Sequence, residues 1–218
     1  MRQAVIFAFS LMISANAWAE GPGLIVKAGT LGAGLDIGWA FNNSFDARIS
    51  LNGFSYDDTF TESNIEYDGE VDLRTAGLLL DWHPLKGSFR LTAGAYANNN
   101  ELAAKGKPTG GTFEINGVQY PASAIDSLSG VVEFDTASPY LGLGFGTMSK
   151  SGFKFTFDLG VLYQKPAATL SVVCGTSLPG PACTQLQSDV AAEQVQLNED
   201  IDDYRFYPVV AFGIGWVF

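Results

Sequence analysis

Residues 204–218 read YRFYPVVAFGIGWVF, and their alternation decides the fold class. Counted by twos from Phe218, one face carries Phe218, Trp216, Ile214, Phe212, Val210 and Pro208. The other carries Val217, Gly215, Gly213, Ala211, Val209, Tyr207 and Arg205. Side chains alternate across a strand, so this segment has one bulky apolar face and one small face that turns polar toward Arg205. In a soluble protein the bulky face would enter a core. Large residues against hydrocarbon and small ones toward a narrow lumen make instead a strand of a transmembrane β-barrel.

The same pattern recurs upstream. Leu35, Ile37, Trp39 and Phe41 oppose Gly34, Asp36 and Gly38, and Phe45, Ala47, Ile49 and Leu51 oppose Asp46, Arg48, Ser50 and Asn52. Ala76, Leu78, Leu80 and Trp82 oppose Thr75, Asp81 and His83, and Phe89, Leu91, Ala93 and Ala95 oppose Arg90, Thr92 and Tyr96. Leu141, Leu143 and Phe145 oppose Tyr140 and two glycines. Phe153, Phe155, Phe157, Leu159, Val161 and Tyr163 oppose Lys154, Thr156, Asp158 and Gln164. Such alternation is the signature of strands with two unlike faces. With the terminal segment these make seven strands. An even barrel needs one more, and Leu24–Thr30 is the candidate.

Residues 1–19 carry Arg2, an apolar run and the cleavage pattern Ala17-Trp18-Ala19, which reads as a Sec signal peptide. The expected division is therefore a cleaved 1–19 and a single domain over 20–218. Of the 218 residues 47% are hydrophobic and 16% charged, with a formal net charge of −11. No later stretch is long and apolar enough for a spanning helix. An exported, apolar chain without such a helix leaves the closed barrel as its membrane-compatible form. The acidic balance argues against nucleic acid.

The connections are of two kinds. Asn42–Ser44, Leu85–Ser88 and Met148–Gly152 are short, whereas Asp57–Gly69, Asn100–Gly130 and Lys165–Asp203 are long and polar. They correspond to the periplasmic turns and extracellular loops of an outer-membrane barrel. Within the loops, Phe113–Tyr120 centres on Asn116-Gly117, a type I′ hairpin signal. Residues 184–203 space Leu186, Val190, Leu197 and Ile201 as one face of a short helix, expected to pack on the barrel mouth. Cys174 and Cys183, close in an exported chain, are expected to form a disulfide that tethers the helix start.

Parity places Lys27, Arg48, Arg90, Lys154 and Arg205 toward the lumen with Asp36, Asp46, Asp81 and Asp158. Such near balance suits ion pairs that plug the lumen, since side chains fill an eight-stranded interior; a charged pore is the alternative. His83, the one histidine, shares the inward face with Asp81; a lipid hydrolase would need a nucleophile beside such a pair and the pair at the opposite, outer-leaflet end of the barrel. It is read as structural, at the turn end. The acidic runs Asp57–Glu70 and Glu199–Asp203 match no calcium-loop pattern and are read as solvated loops. No metal, cofactor or catalytic group is expected.

The terminal FGIGWVF, the LIVKAGT segment followed by glycine-rich sequence, and the alternation of short and long connections resemble the small outer-membrane barrels of the OmpA/OmpW-like superfamily. Gly213, Trp216 and Phe218 match the assembly signal of such proteins; Ala211 stands where a polar residue is usual. The resemblance implies an all-β, eight-stranded, antiparallel up-and-down transmembrane barrel, inserted by the outer-membrane assembly machinery, monomeric, and in contact with outer-membrane lipid and lipopolysaccharide. The expected function is structural or surface-interacting, with a narrow channel for small solutes and a lipid A-modifying hydrolase as successive alternatives. A water-soluble lipocalin-type barrel, with Phe153, Phe155 and Phe157 inside, is the rival fold.

Overall fold

The computed structural model describes residues 21–62 and 65–218; the expected signal peptide lies outside them. The strands are β1 (Gly23–Gly29), β2 (Gly32–Asn42), β3 (Phe45–Glu62), β4 (Ile65–Trp82), β5 (Phe89–Asn98), β6 (Glu101–Pro108), β7 (Thr112–Ile115), β8 (Val118–Pro121), β9 (Ile125–Phe134), β10 (Ala137–Phe145), β11 (Gly152–Tyr163), β12 (Pro166–Cys174) and β13 (Phe206–Val217). A short 3₁₀ turn, Ala122–Ala124, precedes β9, and one helix, α1 (Gly180–Ile201), precedes β13.

Eight strands close a ring, with every neighbour antiparallel, in the order β1-β2-β3-β4-β5-β10-β11-β13 and back to β1. The eighth-strand assignment at Leu24–Thr30 holds. Asn42 Oδ1 accepts the backbone N–H of Ser44 (2.7 Å) and Phe45 (3.0 Å), which fixes the first tight turn. The terminal strand is also the closing one: it pairs with β11 from Tyr163↔Phe206 to Gly152↔Val217 and with β1 on its other side.

The three long connections are not loops. β3 and β4 run on as one unbroken ladder from Phe45↔Trp82 to Glu62↔Ile65. β4 is shared between two sheets: residues Thr75–Trp82 pair with β5 in the ring, and Ile65–Asp72 pair with β6 above it. The chain bends out of the ring after β5, before β10 and after β11, so that β6, β9 and β12 continue those strands as a second layer. The upper sheet is therefore β3-β4-β6-β9-β12, peeled open from the ring below it. The bend at Asn98-Asn99-Asn100 is held by side chains: Arg74 N–H donates to Asn100 Oδ1 (2.9 Å), Asn100 N–H to Asn98 Oδ1 (3.0 Å), and Asn98 Nδ2 to Gln164 Oε1 (2.7 Å).

On one face of the upper sheet a small apolar core forms from Ile115, Tyr120, Ala124, Ile125, Leu186 and Val190. It joins the β7–β8 hairpin and α1 to the sheet. Asn116 and Gly117 take φ of 50° and 74°, the left-handed pair that a type I′ turn requires. The helix starts at Gly180, ahead of the expected Thr184, because Pro179 and Pro181 preset its first turn. Cys174 and Cys183 are bonded, joining the end of β12 to that turn.

The position of α1 corrects the expectation that it packs on the barrel mouth. It lies along β12, where the next strand of a continued ring would stand. Asn198 Oδ1 accepts Ala168 N–H and its Nδ2 donates to Ala168 O (both 2.8 Å), while Gln194 Oε1 accepts Leu170 N–H (2.8 Å). Two amide side chains one helical turn apart thus imitate a ladder and seal an edge that would otherwise invite strand pairing.

Candidate functional site

The ring encloses a stratified interior. Nearest the short turns, Ile25, Met148 and Val217 pack together, all essentially buried. Above them lies an ionic layer centred on Arg48, which is 2% exposed. Arg48 Nε donates to Asp81 Oδ2 (2.5 Å), Nη1 to Asp36 Oδ2 (2.7 Å) and Nη2 to Asp158 Oδ1 (3.1 Å). Arg90 Nη2 donates to the same Asp158 oxygen (2.8 Å) and Nη1 to Gly146 O (2.9 Å). Lys27 Nζ pairs with Asp36 Oδ1 (2.7 Å) and donates to Ser50 Oγ (2.8 Å), and Thr92 Oγ1 donates to Asp81 Oδ1 (2.5 Å). Lys27, Arg48 and Arg90 thus match Asp36, Asp81 and Asp158 charge for charge. Such a layer tolerates burial because each ion has both an opposite charge and hydrogen bonds.

Toward the long-connection end the ionic layer is roofed by Tyr96, Tyr140, Leu79, Leu162, Val209 and Leu31. The glycines of the inward face make room for these side chains. A Cβ on Gly160 would stand 2.5 Å from the Tyr140 hydroxyl, and one on Gly77 would stand 2.5 Å from the Tyr96 ring. Above the roof, Asn98, Ser138 and Gln164 form a buried polar layer. The void left between Lys27, Arg48, Tyr96, Tyr140, Asp158 and Val209 is about 10 Å³, room for about one water molecule.

Of the charged residues expected inside, seven are buried there and two are not in the network. Lys154 has the inward parity but is only half-buried, and it makes no ion pair among the described residues. Arg205 precedes β13 and stays at the rim, where Nε donates to Asp202 O (2.8 Å) and the guanidinium pairs with the Asp202 carboxylate. Asp46 belongs to a separate pair nearer the turns. His83 is 1% exposed; its Nε2 lies 3.0 Å from Asp46 Oδ2 and its Nδ1 2.8 Å from Gly87 O. Its partner is Asp46, because Asp81 on its own strand turns to Arg48. Asp46 Oδ2 also accepts Met148 N–H (2.7 Å), which ties together two of the short turns.

Both His83 nitrogens face oxygens that can only accept when the carboxylate is ionised, so the ring there is the imidazolium. Burial opposes that charge, but the bonds to Asp46 and Gly87 outweigh it and hold the His83 pKa above its ordinary value. A raised pKa stabilises the fold fully below the unfolded-state value and stops doing so as pH rises through the folded-state value. Unfolding midpoints in urea should therefore fall between pH 5.5 and pH 9 by more in the natural protein than in His83→Gln. Equal falls in the two proteins would deny the pair its charge.

The outer surface of the ring has its own order. Aromatic residues crowd the turn end (Phe41, Phe45, Trp82, Phe145, Trp216, Phe218), and others stand at the opposite end (Phe54, Tyr56, Tyr163, Phe206), all well exposed. Between them the surface is Leu, Ile, Val and Phe, with Val26, Leu78, Leu141 and Phe155 each more than half exposed. Phe153 and Tyr163, ten residues apart on β11, would stand about 25 Å apart along the ring axis if the strand tilts by the usual ~40° of such barrels. Gly213, inside this wall, has no space for a Cβ, which would meet Thr156 Oγ1 at 2.6 Å. Trp216 and Phe218 face outward. Arg74, on the outward face where β4 leaves the ring, pairs with Asp72 (2.5 Å) in solvent reach.

No protein-family model matches the sequence, and no curated protein does. Solved structures do resemble the fold. Acinetobacter baumannii CarO2 superposes with a TM-score of 0.60 at 18% identity, covering 91% of this chain and 99% of that one. Acinetobacter baumannii CarO gives 0.58 at 20% identity, covering 92% and 99%. At such identities the likeness is one of fold. No helix among the described residues is long and apolar enough to cross a membrane.

Proposed function

We propose that this chain is an outer-membrane β-barrel of structural or surface-interacting type, related to the OmpA/OmpW-like barrels. Its lumen is closed by its own ion pairs, and it works through the sheet, hairpin and helix raised at the loop end. A signal peptide over 1–19 exports it, the assembly machinery reads the strand ending at Phe218, and it sits as a monomer among outer-membrane lipid and lipopolysaccharide. The two exposed aromatic bands with an exposed aliphatic belt between them support the membrane placement, because a barrel's lipid face is an apolar band flanked by aromatic girdles. The resemblance of fold to CarO proteins, which are outer-membrane β-barrels, supports the compartment.

The observation that carries the non-conducting reading is the Arg48-centred layer with its void of about 10 Å³. A water-filled pore would need those charges to face solvent rather than one another. Refolded protein in planar lipid bilayers should give no discrete openings at applied potentials of about 100 mV. Reproducible unitary steps would instead favour the narrow-channel alternative. As for hydrolase chemistry, His83 has both ring nitrogens committed to Asp46 and Gly87, which supports a structural role.

A further inference from the structure

The upper sheet has two edges, at the places where β13 and β2 would continue if the ring kept its full girth. At β12 the vacancy is taken by α1 through Gln194 and Asn198. At β3 it is empty among the described residues. β2 pairs with β3 only as far as Ala33↔Gly53, whereas β3 runs on with β4 to Glu62. His83 N–H donates to Ser44 O (2.8 Å), so even-numbered β3 residues bond toward β4 and odd-numbered ones toward β2. The N–H and C=O groups of Ser55, Asp57 and Thr59 therefore project from the edge, and every residue from Gly53 to Thr59 is exposed.

We infer that this edge is a docking site for an extended, basic segment of another protein, added as an antiparallel or parallel strand beside β3. Strand addition takes its affinity from backbone hydrogen bonds and its selectivity from the flanking side chains. Here the flanks are acidic on both faces. Asp57 stands opposite Glu70, Asp58 opposite Gly69, and Thr59 opposite Asp68, to which its hydroxyl donates (2.9 Å). A second copy of this chain would set Asp57 and Asp58 against themselves, and like charges directly opposite destabilise a pair. Lysine or arginine at alternate positions of an incoming strand would meet those carboxylates. The contrast between the two edges completes the case: one is sealed by dedicated side chains, the other is left open but charged.

This deepens the surface-interaction reading and rests on the loop end facing outward. Binding by purified protein reports on the edge whatever the orientation in the cell, and surface labelling of intact cells reports on the orientation alone. The probe is a fluorescent decapeptide alternating valine and lysine, compared with its valine–glutamate counterpart and with a lysine peptide interrupted by two prolines. The lysine peptide should bind detergent-solubilised full-length protein at least about 10-fold more tightly than either control. Amide exchange at Ser55, Asp57 and Thr59 should slow when it binds. Thr59→Pro removes a projecting N–H without touching the β4 ladder and should weaken binding about 10-fold; exchange in the natural protein decides the matter if that variant misfolds. Equal binding of the proline-interrupted peptide would reduce the contact to unspecific charge, and unchanged exchange at those three amides would overturn the site.

Discussion

Arg48→Met is expected to cost about 3–5 kcal/mol of folding stability, the range for breaking one side of a buried ion pair. The reason is geometric. The Arg48 guanidinium alone reaches Asp36, Asp81 and Asp158, and Lys27 and Arg90 cannot serve three carboxylates without it. Asp81 would keep only Thr92 and a distant Arg90 Nε at 3.5 Å. Removing charge and countercharge together should do less harm than removing the arginine, so Arg48→Met with Asp81→Leu should recover part of the loss. Urea unfolding of protein refolded into lipid vesicles measures both. A double variant less stable than Arg48→Met would mean that the layer does not act through charge pairing.

Leu141→Arg should cost about 2–4 kcal/mol in the same assay, the depth-dependent figure for a cation at the lipid midplane. Leu141 is 69% exposed and sits at the centre of β10. On a protein surrounded by water such a surface change is worth about 0.5 kcal/mol or less. Val173 supplies the internal control. It is 56% exposed on β12 of the upper sheet, beyond the aromatic band, and Val173→Arg should change stability by about 0.5 kcal/mol at most. Equal costs at the two positions would remove the reason to place lipid around the ring.

The ring was legible in the sequence because its strands have unlike faces: Phe153 to Tyr163 against Lys154 to Gln164 leaves little room for another reading. Parity also assigned Lys27, Asp36, Arg48, Asp81, Arg90 and Asp158 to one interior. It could not assign partners or heights. His83 stands near Asp81 in the chain, yet its ring reaches diagonally across the strand pair to Asp46, which stands opposite Asp81. Arg205 has the right parity but lies beyond the end of its strand. The part of the upper sheet built by β3 and β4 was missed through its charge. Residues 65–72, IEYDGEVD, alternate as strictly as any ring strand, but with Glu66, Asp68, Glu70 and Asp72 on one face they read as loop. Period two was the available signal, and acidity obscured it. The guarding of β12 by Gln194 and Asn198 could not be read at all, since nothing local marks which amides will meet a sheet edge.

The central claim is that the large side chains of the ring face hydrocarbon while the charges close on one another inside. Nitroxide spin labels placed singly at each position from 153 to 163, in protein refolded into lipid vesicles, test it most directly. Collision rates with oxygen, which concentrates in the bilayer, should be high at Phe153, Phe155, Phe157, Leu159, Val161 and Tyr163 and low at Thr156, Asp158 and Leu162, with a strict period of two. High collision rates with a water-soluble nickel chelate at Phe155, Phe157 and Leu159, or oxygen maxima at Thr156 and Asp158, would contradict it.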